Sequence, residues 1–356
     1  MKTTMGALLA MTAAVSSVGC AYQHIRCTDK GGNGTITAEY TYPEDGFESD
    51  GVFRVGFDRH GDPYPDPREV AIDDARLESC HSALREYFAG TGYDAASVAA
   101  AFGRRISTAC GKRTLIILIH GINSSYPESR RSYESARASI QKQFPQLDAV
   151  FLEIYWDGMW GDAISLWPHA RETSKWVGLR LRPLLSALDP AIPVRVVTHS
   201  RGSAVIASAL WNVKLGESDA SGREFTALQQ KGPIPANRDL RIGLVAPAMG
   251  EEEFEGFNVR GASEGSVIIA VNETDETLAK GMVPAGWFGS TRLGCCLDAF
   301  RAVERMLNRD HAVAKLVDLS GSSVHDFKDY VWRREFKGKF LHLLFAPAAA
   351  VAASRP

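Results

Sequence analysis

The chain has 356 residues, 45% hydrophobic and 23% charged, enough apolar material to bury a large core. Its formal net charge of −2 at pH 7 gives no sign of nucleic-acid binding. It carries no H-E-x-x-H, no C-x-x-C pair and no Gly-rich phosphate loop, so metalloprotease, zinc-ribbon and nucleotide-binding readings lack support, and no metal or other cofactor is expected.

Met1 to Gly19 holds one lysine followed by an uncharged run of small and apolar residues, too short for a membrane span, and reads as an export signal. A buried N-terminal helix is the alternative. Ser17, Val18 and Gly19 before Cys20 resemble a bacterial lipoprotein box, with Ser17 where leucine is usual. Lipidation of Cys20, with membrane attachment, and plain cleavage near the same place are the two outcomes, and both put the protein in the bacterial cell envelope. Cys20 apart, the chain has Cys27, Cys80, Cys110, Cys295 and Cys296, an odd set. An oxidising compartment then predicts at least one disulfide, with adjacent Cys295 and Cys296 bonding to other cysteines, or one of them staying free, rather than bonding to each other.

Residues 20–110 read as an N-terminal extension packed on a sheet and supplying its first strands. Thr35 to Tyr42 and Val52 to Phe57 alternate like strands, Asp58 to Pro67 is a Gly/Pro/Asp-rich loop, and Arg68 to Phe88 reads as a helix. An independent binding module is the alternative. From Thr114 to Ile119 the chain is continuously apolar, as a strand buried on both faces would be, and it ends in His120, Gly121, Ile122 and Asn123. An amphipathic stretch from Tyr126 to Phe144 and a second strand from Ala149 to Tyr155 complete a β-α-β unit. Trp156, Trp160, Trp167 and Trp176 follow. Trp156 and Trp160 are read as the rim of a substrate pocket, Trp176 as core packing of a helix from Ala170 to Leu188.

Next comes the most informative run, Val196 to Gly202. A β-branched strand feeds a helix (Ala204, Val205, Ile206, Ala209, Leu210) through Ser200, a turn that exposes a hydroxyl as a nucleophile. Gly202 is small, as the turn requires, whereas Thr198 stands where glycine is usual. The competing reading makes Ser200 a helix N-cap. A strand ending in His-Gly favours the first reading, because acyl-transfer hydrolases take one oxyanion-hole N–H from such a loop and the other from the residue after the nucleophile. Here these are the main chains of Ile122 and Arg201, with His120, Gly121 and Asn123 lining the pocket.

Further strands are predicted over Arg241 to Ala246, Ser266 to Val271 and Val313 to Leu319, with a helix over Leu297 to Leu307 before the last. Asp275, shortly after Val271, is the candidate acid. Glu273 is its nearest rival, and a helix N-cap is its competing role. Glu251, Glu252 and Glu253 read as a solvated charge run. Among nine histidines, His325 follows the last strand through Ser320 to Ser323 and precedes a long helix from about Asp326 to Phe345. His311 lies on the wrong side of that strand, and His199 is expected to point away from the site. Residues 346–356 read as a disordered tail.

Residues 112–345, through Ile119 to Asn123 and the T-H-S-R-G run at Thr198 to Gly202, resemble the α/β-hydrolase superfamily, in particular bacterial lipase- and esterase-like members. That resemblance implies a doubly wound, mostly parallel sheet with helices on both faces over 111–345, and a Ser200–His325–Asp275 triad at the strand carboxyl ends. The expected activity is hydrolysis of a small-molecule or lipid acyl ester through an acyl-enzyme. An acyltransferase, or an inactive hydrolase-fold protein that binds an envelope partner, are the alternatives.

Overall fold

The computed structural model describes residues 48–49, 51–57, 61–64, 94–124, 126–158, 166–213, 228–229, 239–255, 267–279, 291–309 and 314–346. Cys20, Cys27, Cys80, Trp160, His311, the export segment, Thr35 to Tyr42, Arg68 to Phe88 and the tail beyond 346 lie outside them.

Among the described residues nine strands form one sheet: β1 (Glu48–Ser49), β2 (Val52–Phe57), β3 (Pro63–Tyr64), β4 (Thr114–Ile119), β5 (Ala149–Trp156), β6 (Val194–His199), β7 (Leu240–Val245), β8 (Val267–Val271) and β9 (Ala314–Asp318). Their order is β1-β2-β5-β4-β6-β7-β8-β9, with β3 on the outer side of β2. From β2 to β9 every neighbouring pair is parallel; only β1 and β3 run antiparallel, both against β2. The predicted N-terminal strand Val52–Phe57 therefore belongs to the sheet itself, pairing along its length with Phe151 to Trp156.

Alternation along β4 shows why the parallel strands read as unbroken apolar runs. Leu115, Ile117 and Ile119 face one core while Ile116 and Leu118 face the other. The first core is covered by α1 (Ala95–Cys110), α3 (Leu166–Ser186), α4 (Gly202–Leu210) and α6 (Leu297–Arg309). The second is covered by α2 (Tyr126–Gln143), α7 (Phe327–Val331) and a final segment in which a π turn (Phe336–Phe340) runs into α8 (Leu341–Phe345). The long C-terminal helix expected from Asp326 is thus broken. It stops at Trp332, and the chain resumes through a wide turn holding Gly338, so that Phe336, Phe340 and Leu344 all reach the core. Between β8 and β9 lies the short α5 (Glu276–Ala279).

This order fixes where a ligand would sit. After β4 the chain crosses to β5 on one side of it, then returns past β4 to β6 and continues to β7 on the other. Connections that diverge in this way leave a crevice outside the carboxyl ends of β4 and β6. His120 and Gly121 close one of those strands, and Ser200 closes the other.

Candidate active site

Ser200 follows β6 with φ at +53°, a left-handed value that a side chain rarely adopts, and its N–H donates to the Val245 carbonyl at 3.0 Å. The helix N-cap is Arg201, without a side-chain cap bond, so the reading of Ser200 as the N-cap falls. Glycine is required on both sides of this turn. A Cβ on Gly202 would come within 2.3 Å of the His120 carbonyl oxygen, and one on Gly121 within 2.8 Å of Ser200 Cβ and 3.3 Å of its Oγ. The β4 loop therefore lies directly against the serine. Thr198 fits because its buried hydroxyl meets Ser203 Oγ at 2.7 Å.

Behind Ser200, all nine residues of α4 are buried. Gly178 lets α3 approach so closely that a Cβ there would sit 2.3 Å from the Val205 carbonyl oxygen. The Arg182 guanidinium donates to the carbonyls of Ser208, Ala209 and Trp211, satisfying the acceptors at the carboxyl end of α4. At the other end the Arg201 guanidinium meets Glu253, only 3% exposed, through both carboxylate oxygens at 2.9 and 3.2 Å. Glu253 is thus no member of a solvated charge run, and the reason is this buried cation 52 residues away.

On the acid side, Asp275 is fully buried and uses its two oxygens differently. Oδ1 accepts the Leu278 N–H at 3.0 Å, capping α5; Oδ2 accepts from His325 Nδ1 at 2.5 Å and from the Tyr330 hydroxyl at 2.6 Å. One oxygen thus serves the helix cap and the other meets His325 and Tyr330, so the cap leaves the second oxygen available to the imidazole. Burial pushes this carboxyl up, but the hydrogen bond and charge of His325, the Tyr330 hydroxyl and the Leu278 amide outweigh it and hold it below the ordinary aspartate range. Glu273 is exposed and does not compete. With Nδ1 committed to Asp275, His325 presents Nε2, which is buried and makes no hydrogen bond. Ser200 and His325 are accordingly not hydrogen-bonded to each other.

His199 does not point away. Its ring centroid is 4.6 Å from that of His325, it stacks on Phe327 at 5.3 Å, and its Nε2 is also buried without a partner. Burial first, then the neighbouring His325 and His120, hold it well below the ordinary histidine range.

Two pocket residues are corrected. His120 accepts the Trp156 N–H at Nε2 (3.1 Å) and donates from Nδ1 to the Gly121 carbonyl (2.6 Å). Both nitrogens are spent on shaping the β4 loop, and burial lowers the imidazole to about 4. Trp156 is 1% exposed; it stacks on His120 at 5.7 Å and donates its indole N–H to the His120 carbonyl, which makes it core rather than rim. Asn123 remains exposed, at φ +54°, with its N–H on the Gly158 carbonyl. Trp176 is core, as expected. The N–H groups of Ile122 and Arg201 make no hydrogen bond with any described residue. Tyr330 and Asn272, which orient Asp275 and the Tyr330 hydroxyl, escaped the sequence reading, since nothing local distinguishes them from ordinary core and turn residues.

Cys110, Cys295 and Cys296 are free thiols, so the expected disulfide does not involve them. Among the described residues no group of three His, Cys, Asp or Glu side chains could hold a metal, and no helix is long and apolar enough to cross a membrane. No known protein family matches this chain, and no curated protein or solved structure is detectably similar to it.

Proposed function

We propose that this protein is a serine hydrolase of the α/β-hydrolase type that cleaves an acyl ester. The observation that carries the reading is the His325–Asp275 contact at 2.5 Å, which leaves His325 with a buried, unpartnered Nε2, in a fold whose Ser200 stands in a positive-φ turn at the end of β6. Such a pair fixes the imidazole tautomer and gives Nε2 a lone pair with no competing partner. His325 takes the Ser200 proton as Oγ attacks the acyl carbon, and the Asp275 carboxylate stabilises the imidazolium that forms. The Ile122 and Arg201 amides, not engaged by any described group, receive the developing oxyanion. His325 then returns the proton to the leaving alkoxide. Water, deprotonated by the same imidazole, releases the acid and restores Ser200.

The order Ser200, Asp275, His325 along the chain, and the placement of all three after the carboxyl ends of β6, β8 and β9, support the same reading. Export with lipidation at Cys20, and hence an ester substrate met at the envelope, stays part of this proposal. The test is labelling of the full chain with a fluorophosphonate followed by peptide mapping. Modification of Ser200, lost in Ser200→Ala, is the expected result; an unlabelled, folded protein would overturn it.

A further inference from the structure

The Arg201 side chain crosses the interior to reach three different parts of the fold. Besides Glu253, its guanidinium donates to the Ala248 carbonyl at 3.0 Å, in the loop after β7, and to Ser174 Oγ at 3.1 Å and the Arg171 carbonyl at 3.4 Å, both on α3. Its planar fork is thereby filled on every side, which lysine could not reproduce. Glu253 in turn grips α4 twice. Its carboxylate holds Arg201, the cap residue at the amino end, while its carbonyl accepts the Trp211 indole N–H at 2.9 Å at the carboxyl end. Residue and amide are therefore coupled: the Arg201 main chain follows the nucleophile, and its side chain is anchored to the same frame that seats the elbow helix.

A buried ion pair of this kind is a poor device for stability alone, because two charges taken out of water are seldom better than an apolar pair of equal volume. We infer that the Arg201–Glu253 pair is a positioning element that aims the Arg201 N–H at the oxyanion, so that Arg201 acts through its amide and Glu253 through Arg201. This rests on the serine hydrolase reading. Its chemical consequence is selective. A hydrogen bond that tightens only as charge appears on the acyl oxygen acts on the transition state and leaves ground-state binding nearly untouched.

The experiment compares Glu253→Gln, Arg201→Lys and the double variant Arg201→Leu/Glu253→Leu in the full chain. The readouts are kcat and KM on a short-chain p-nitrophenyl ester, affinity for a trifluoromethyl ketone and thermal midpoint. Expected is a kcat lower by about 10²-fold in each variant, with KM within about threefold and ketone affinity falling in parallel. The double variant, which leaves no buried charge unpaired, regains thermal stability without regaining kcat. Recovery of kcat with stability, or a loss carried by KM, would make the pair structural only and overturn the inference. Fluorophosphonate labelling of Ser200 in the unaltered chain separates this from failure of the hydrolase reading itself, since an unlabelled wild type discards both.

Discussion

The two halves of the site are held by different physics. On the nucleophile side, Ser200 is fixed by exclusion: there is no room for a Cβ on Gly121 or Gly202, α4 is wholly buried, and ion pairs and carbonyl bonds pin both helix ends. On the Asp275–His325 side packing also confines the chain, since a Cβ on Gly294 would come within 2.6 Å of Leu278 Cδ1, but the two residues themselves are held by polar contacts. Asp275 and His325 lie on short connections, and their geometry comes from hydrogen bonds among polar side chains, with Asn272 Nδ2 donating to the Ser322 carbonyl and the Tyr330 hydroxyl and that hydroxyl reaching Asp275. On the proposed triad, a site built this way has a rigid attacking group and a base whose aim and charge follow a few hydrogen bonds. Steric fixing is insensitive to pH, whereas hydrogen-bonded fixing depends on which groups carry protons.

The largest effect should come from either half alone, because the members of such a triad act as a unit. Ser200→Ala and His325→Ala are each expected to lower kcat on the order of 10⁶-fold. Thermal unfolding of Ser200→Ala should stay close to that of the parent, whereas His325→Ala, which takes a partner from the buried Asp275 carboxylate, should unfold at a lower temperature. A folded Ser200→Ala enzyme with undiminished turnover would remove the serine from the chemistry and break the comparison at its rigid end.

Asp275→Asn cuts within the polar half and separates the two roles of one residue. Asparagine caps a helix about as well as aspartate, so the bond to the Leu278 amide survives and stability changes little through it. At the other oxygen position its amide would face two donors, His325 Nδ1–H and the Tyr330 hydroxyl. The imidazole then turns to the wrong tautomer, and a loss of about 10⁴ in kcat is expected. Glu273→Gln, at an exposed carboxylate, should cost almost nothing. Steady-state turnover together with thermal midpoints decides the matter; a fully active Asp275→Asn enzyme would leave Asp275 as a cap only.

The buried titratable groups on both sides also predict separate pH windows for stability, with His120 and His199 making the Ser200 side sensitive to pH as well. His120, lowered to about 4 by burial, stays neutral in the folded protein while the unfolded chain takes up a proton below about pH 6.5. Its contribution is full above that value and is lost as pH falls toward 4, on the order of 3 kcal/mol for this one group. His199, also lowered, steepens the same slope. Asp275 is depressed, so its contribution is present above the ordinary aspartate value and disappears only below it, as pH falls through its lower folded value. Urea midpoints measured from pH 7 to 3 should show two successive losses, with the first made shallower in His199→Phe. A flat midpoint between pH 6.5 and 4.5 would contradict the first.

How far the sequence reveals this arrangement follows the same division. The parallel strands are legible because burial on both faces makes them continuous apolar runs, and the predicted span of β4 agrees with the observed one. The turn from β6 through Ser200 into α4 is legible because its constraints are local: a small residue must lie two positions from the serine. What could not be read depends on partners distant in the chain. Glu253 looks solvated until Arg201 is placed beside it, and Trp156 looks like a pocket residue until His120, 36 positions earlier, accepts its N–H. Asp275 is a different case, since a capping aspartate and a triad aspartate share one local sequence, and only the three-dimensional position of His325 shows that the second oxygen is also in use.

The smallest expected effect tests whether the threonine in place of glycine strains the rigid half. In β6, Thr198 lies in register with Ile119 on one side and Leu244 on the other, fully buried, so its side chain fills space that the strand provides. Its hydroxyl also satisfies that of Ser203, which has no access to water. Thr198→Gly would match the commoner elbow pattern, yet it leaves a buried hydroxyl without its partner and adds backbone freedom to a strand interior. Together these should cost about 2 kcal/mol. Turnover should change by less than about threefold, because Ser200 keeps its bond to the Val245 carbonyl and its glycine neighbours. Thr198→Val isolates the hydroxyl, retaining the branched shape and losing roughly half of that stability. If Thr198→Gly were instead more stable, or turned over tenfold faster, the threonine would be a source of strain, and the nucleophile side would be less uniformly fixed by packing than its glycines indicate.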